Sequence, residues 1–198
     1  ILYVGDIVGS PGRRAFIQGL AQIRAREDLD LVIATKGDLS GVHGGTSALN
    51  QVIERDIDGR MERTRGRPLP TGKVSPGAGT AFSIAVAALG LAILAALVNV
   101  LTAVLAVAAL LSYVLVYTPL KRVSSLSTLV GAVPGALPPV IGWAAVTGSV
   151  SLESLILFLI IFLWTPPHFW ALALFMKSDY DDAGVPMLTV THGRKATR

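Results

Sequence analysis

Cysteine is absent from all 198 residues, which excludes disulfides and thiolate metal centres. Charge is scarce too. Only 15% of residues are Asp, Glu, Lys or Arg, against about 25% in soluble domains. The net charge is a modest +4, and the basic residues fall in separate segments rather than one stripe. No nucleic-acid-binding face is therefore expected. No secretory signal is visible, and the first residue is Ile rather than Met, which marks the chain as a candidate fragment. What remains is apolar: 52% of residues are hydrophobic and the mean hydropathy is +0.61. That balance points to an integral membrane protein.

The chain changes character near residues 35–46. Residues 1–34 look soluble: "ILYVG" reads as a buried strand, "SPG" as a turn opening a helix with Phe16, Leu20 and Ile23 at helical spacing, and "LDLVIA" as a second strand. This β-α-β segment is too short to bury a useful core. "TKGDLSGVHGGT" then reads as a Gly-rich junction over 35–46, followed by a short helix from about Ser47 to Arg60. Residues 47–198 hold four apolar spans, at about 78–98, 100–117, 126–147 and 152–175. Each approaches the roughly 20 residues a bilayer core requires. Prolines 134, 138 and 139 predict a kinked third span, and Pro166 and Pro167 a kink in the fourth. Four spans put the Arg-rich 50–76 segment, Lys121 with Arg122, and the basic tail on one side of the membrane. The uncharged turns at Asn99 and 147–152 fall on the other. By the positive-inside rule the basic side is cytoplasmic.

Four groups of residues on this frame could carry chemistry. Asn50, Glu54 and Asp58 are spaced i, i+4, i+8 and share one helix face, whereas Asp56 points elsewhere. Hard oxygen ligands on one face suit Mg²⁺ bridging to phosphate, with nearby arginines complementing phosphate charge. A solvated helix end with intrahelical ion pairs fits the spacing equally well. In "YTPLKR", Lys121 and Arg122 read either as anion contacts or as snorkelling cations beside an interfacial aromatic. Asp179 and Asp182 (i, i+3) read either as a second acidic face or as a polar loop leaving the membrane. His168 lies inside an apolar span beside Trp164, Phe169 and Trp170. An ionisable group there is either functional or a satisfied bundle residue, and the rings could shelter a developing cation. Two acidic clusters with cations between them, at one end of an apolar bundle, suit a metal-bound anion carrying a greasy tail.

"ALNQVIERDIDGRMERTRGRPLPTG", "YTPLKR", "WTPPHFWALAL" and "DYDDAGVPML" together resemble the protoheme IX farnesyltransferase (heme O synthase) family of the intramembrane UbiA-type prenyltransferases. The resemblance covers about residues 45–193. It implies an all-α integral membrane helical bundle that transfers farnesyl from farnesyl diphosphate to a vinyl group of heme B. It implies Mg²⁺ held by Asn50, Glu54, Asp58, Asp179 and Asp182. Lys121, Arg122, Arg63 and Arg67 are implied as diphosphate contacts. Asn50, Arg63, Arg67 and His168 are implied in the catalytic apparatus, with His168 near the heme. Other enzymes of heme A synthesis are implied partners, and a bacterial inner membrane the location.

Two departures set further expectations. The family has a complete first span and most of a second before "GGTSALNQ", and continues beyond the point where this chain stops; an incomplete bundle of doubtful activity is expected. Residues 1–34 instead resemble the start of a calcineurin-like metallophosphoesterase, with Asp6 as a first metal ligand but "TKGD" where its next motif should stand. The chain thus reads as a chimera. The competing functions are a phosphodiesterase, lacking its downstream ligands, and a non-catalytic membrane protein such as a transporter, in which the acidic clusters would lie apart.

Overall fold

The computed structural model describes residues 31–62, 64–175 and 177–193. The first strand and helix expected over residues 1–30, and Asp6 with them, lie outside the described residues. The second strand, expected over 29–34, is corrected from Leu31 onward. Those residues open a helix, α1 (Leu31–Ile53). A four-residue apolar run fits a buried strand or a buried helix equally, and the longer helix settles it.

The remaining elements are helical: α2 (Arg55–Asp58), α3 (Pro76–Ile93), α4 (Val100–Leu111), α5 (Ser127–Ala136), α6 (Pro138–Thr147), α7 (Leu152–Phe175), α8 (Lys177–Asp182) and α9 (Leu188–Thr191). Widened turns extend α3 through Leu94–Val98 and α4 through Ser112–Tyr117, after which a last turn covers Thr118–Leu120. Among the described residues four helices are long and apolar enough to cross a membrane: Pro76–Val98, Val100–Leu120, Ser127–Thr147 and Leu152–Phe175. The third breaks at Leu137, between Pro134 and the Pro138–Pro139 pair. The fourth runs as one helix through Pro166 and Pro167. Phe82, Leu97, Leu163 and Phe175 project outward from these spans. Such large exposed apolar faces are at home in lipid rather than water.

α1 runs through the Gly-rich stretch without interruption. Gly45 explains how, because a Cβ there would lie 2.7 Å from both the Ala87 nitrogen and the Ser83 oxygen. The glycine lets α1 approach the α3 backbone directly. α3 presents Gly79, Ser83, Ala87 and Gly90 as its buried face, the small-residue seam that close helix contacts in membranes use.

The bundle is tied at both ends. At one, Asn99 is extended between α3 and α4; its Oδ1 accepts from Thr102 N at 2.8 Å and its Nδ2 donates to the Ala144 carbonyl at 2.9 Å. Val42, Leu94, Ala103, Ala106 and Ile141 form the core on that side. At the other, Ile57, Met61, Ala173, Tyr180, Ala183, Val185 and Met187 form a second core. This second core packs the segment after α1 against the α7–α9 region.

Candidate functional site

The site grows from the end of α1. The helix stops at Ile53 and Glu54 takes φ −95°, ψ 9°. The hydrogen-bond spacing survives the break, since Glu54 N donates to Asn50 O (2.9 Å) and Asp58 N to Glu54 O (2.8 Å). Asn50, Glu54 and Asp58 therefore remain one above another.

Glu54 is 2% exposed. Its Oε2 accepts from Asn50 Nδ2 at 3.0 Å and from Lys121 Nζ at 3.0 Å. Its Oε1 is buried and has no hydrogen-bond partner. An unsatisfied carboxylate oxygen in such a place is costly, and an incoming cation or donor would relieve it. Asp58, equally buried, accepts from Arg67 Nη1 at 2.7 Å, and its carbonyl accepts from the Thr64 hydroxyl at 2.9 Å. Asp56 faces away, as its spacing predicts. It forms a two-pronged pair with Arg122 (2.7 and 3.1 Å), whose Nη2 also donates to the Ile53 carbonyl at 2.7 Å. That last bond satisfies a carbonyl at the helix end.

The "YTPLKR" loop thus docks on the acidic segment through three contacts in order: Thr118 to Asn50, Lys121 to Glu54, Arg122 to Asp56. Lys121 and Arg122 were expected as diphosphate contacts; both already hold carboxylates. Arg67 likewise holds Asp58, and Arg63 lies outside the described residues. On α8, Asp182 is exposed and Asp179 sits one turn before it. Between them Tyr180 is buried in the same core as Ile57 and Met61, so the two acidic segments share one core. Among the described residues no three His, Cys, Asp or Glu side chains converge as a metal cluster. This does not disfavour Mg²⁺, which uses one or two carboxylates, waters and substrate phosphates. The free Glu54 oxygen and the amide of Asn50 fit such a site.

His168 has a different setting. It is exposed on α7 and stacks on Trp164, ring centroids 4.1 Å apart and planes 17° from parallel. Its neighbour Phe169 packs into the core beside Tyr180. Trp170 is half-buried and its Nε1 has no partner. Thr118, Thr64, Met61 and Tyr180 were not singled out from the sequence. Each nevertheless lies inside one of the stretches that carry the family resemblance.

Burial raises the Asp56 carboxyl, but the hydrogen bonds and charge of Arg122 outweigh it and hold its pKa below the ordinary value. A depressed carboxyl pKa stabilises the fold above its unfolded value. That contribution is lost as pH falls through the folded one. The pair is about half exposed, so screening limits it to under about 1 kcal/mol. Melting curves of the parent and of Arg122→Ala should accordingly differ slightly at neutral pH. The pair's contribution to that difference should disappear in acid.

The UbiA prenyltransferase family model matches residues 20–198, a stretch that includes part of the segment read as a phosphoesterase start. The chain is similar to curated protoheme IX farnesyltransferases. It is 54% identical to that of Dinoroseobacter shibae over 156 residues, 78% of this chain and 50% of the relative. It is 53% identical to that of Ruegeria pomeroyi (78% and 49%) and 51% identical to that of Cereibacter sphaeroides (78% and 50%). The chain spans about half the length of the curated relatives it matches. No solved structure matches it. With four apolar helices and a family match over most of its length, the chain belongs to the UbiA prenyltransferase family, whose fold is a bundle of membrane helices.

Proposed function

We propose that this chain serves Mg²⁺-dependent transfer of a farnesyl group from farnesyl diphosphate to a vinyl group of heme B, giving heme O. The observation that carries the proposal is the buried Glu54 carboxylate. One oxygen is held by Asn50 and Lys121 and the other is free, at the end of an apolar bundle whose relatives are named for this reaction.

Glu54 and Asp58, with Asn50, Asp179 and Asp182, would hold Mg²⁺, which when bound supplies neutralisation of diphosphate charge. Lys121, Arg122, Arg63 and Arg67 would share that work by donating to diphosphate oxygens. Lys121, Arg122 and Arg67 would have to exchange their carboxylate partners for the diphosphate. As the allylic C1–O bond breaks, diphosphate leaves with the bonding pair. The apolar spans keep water from the farnesyl cation, the vinyl carbon bonds to C1, and water then adds to the resulting heme cation with loss of a proton. The exposed His168–Trp164 stack offers a porphyrin edge an imidazole at membrane depth. The three basic segments are assigned to the cytoplasmic side of a bacterial inner membrane, where heme O would pass to the enzymes that make heme A.

Membranes carrying the chain, given heme B, farnesyl diphosphate and Mg²⁺, should form a farnesylated heme detectable by mass. Glu54→Gln should reduce it to less than a tenth. No product from the parent, or equal product from the variant, would count against the assignment.

A further inference from the structure

Thr118 is fully buried, and its Oγ1 lies 2.9 Å from two acceptors, the Asn50 Oδ1 and the Tyr113 carbonyl. A hydroxyl has one proton and two lone pairs, so it donates to one of them at a time. The Tyr113 carbonyl is within reach because the chain is widened at Ser112–Tyr117. There Thr118 N–H pairs five residues back, to that same carbonyl. Widened turns of this kind recur at functional sites.

We propose that Thr118 is a positioning residue for the cation site at Glu54, acting through the side-chain amide of Asn50. As the site stands, Asn50 gives its Nδ2 to Glu54 Oε2 and its Oδ1 to Thr118. Its oxygen is engaged away from the carboxylate. For that oxygen to serve a cation beside Glu54, the amide must turn over. Nδ2 then needs an acceptor where Oδ1 now lies. Thr118 Oγ1 supplies it, because its O–H can turn to donate to the Tyr113 carbonyl. The hydroxyl therefore fits both amide orientations, which a methyl group in its place cannot do. The unpartnered, buried Glu54 Oε1 is the independent sign that a positive group is missing from the other side. The inference rests on the cation-site assignment of the preceding section and adds a residue outside the expected ligand set.

Mn²⁺ alone is the probe, titrated by electron paramagnetic resonance into the purified full chain in detergent. Thr118→Val should weaken Mn²⁺ binding by about tenfold or more, as loss of partners behind metal ligands does. Thr118→Ser, which keeps the hydroxyl, should bind within about twofold of the parent, by the same logic. In an Asn50→Ala background, Thr118→Val should add no further loss. If the valine variant does not fold, Thr118→Cys, a weak donor and acceptor, should show a loss in the same direction. Parent-like binding by the valine or cysteine variant overturns the proposal. So does a serine variant as weak as valine, or an additive loss in the Asn50→Ala background. Mn²⁺ binding unchanged by Glu54→Gln, or absent from the parent, would instead remove the cation site itself.

Discussion

Lys121→Met is expected to destabilise the folded chain by about 3–5 kcal/mol, the usual consequence of stranding one member of a buried ion pair. The Glu54 side chain is 2% exposed and that of Lys121 15%. Glu54 Oε1 is already without a partner and Asn50 contributes a single hydrogen bond. Removing the ammonium leaves the carboxylate with that bond alone. The double change Lys121→Met with Glu54→Gln should recover much of the loss, because a neutral amide needs no counter-charge and buried pairs are often replaceable when both members go. Thermal unfolding in detergent of the parent, both single variants and the double variant closes the cycle. Equal melting of parent and Lys121→Met would mean that the pair is solvated. An additive double variant would mean that the two residues are not coupled. The proposed farnesyl transfer should fail in all three variants, so stability and activity separate in the double variant.

Gly45→Ala is expected to lower stability by about 1–3 kcal/mol, typical of overpacking, and the proposed farnesyl transfer by about a hundredfold. Helix propensity alone predicts the opposite sign, since Ala is favoured over Gly by about 1 kcal/mol inside a helix. The geometry decides. An added Cβ would sit 2.7 Å from the Ala87 nitrogen and the Ser83 oxygen and 2.8 Å from the Ala87 Cβ. Backbone atoms in the middle of α3 cannot swing aside as a side-chain tip can, so α1 must move. Asn50 and Glu54 ride on the same helix end, and displacement of about 1 Å is enough to cost two orders of magnitude in a preorganised site. A Gly45→Ala chain that melts at or above the parent temperature would show that the helices do not approach so closely.

These two positions mark what was legible in the sequence and what was not. The four spans were legible because length and apolar composition are sufficient to define them. So was the outward turn of Asp56, which follows from helical spacing. The role of Gly45 was not: a Gly-Gly pair reads as a junction unless one knows that another backbone lies against it. The strand expected at residues 29–34 failed from Leu31 onward because a short apolar run has no period of its own. The stripe Asn50, Glu54, Asp58 was visible. The separate cations held by Glu54, Asp56 and Asp58, and the buried hydroxyl behind Asn50, depend on contacts between residues 66 to 68 apart in three cases and nine apart in the fourth. No local pattern announces them.

The hairpin of the first two apolar spans acts as a calliper. Its legs, Pro76–Val98 and Val100–Leu120, have 23 and 21 residues and meet at Asn99. At about 1.5 Å per residue they are each a little over 30 Å long. Their near equality brings Lys121 back to the level of the α1 end from which the chain set out. One residue inserted into either leg would advance everything beyond it by 1.5 Å and turn it by about 100°, carrying Lys121 off Glu54. The contacts that Thr118, Lys121 and Arg122 make with the acidic segment therefore require both legs to be in place. The length of two greasy helices sets the register of the charges at their feet.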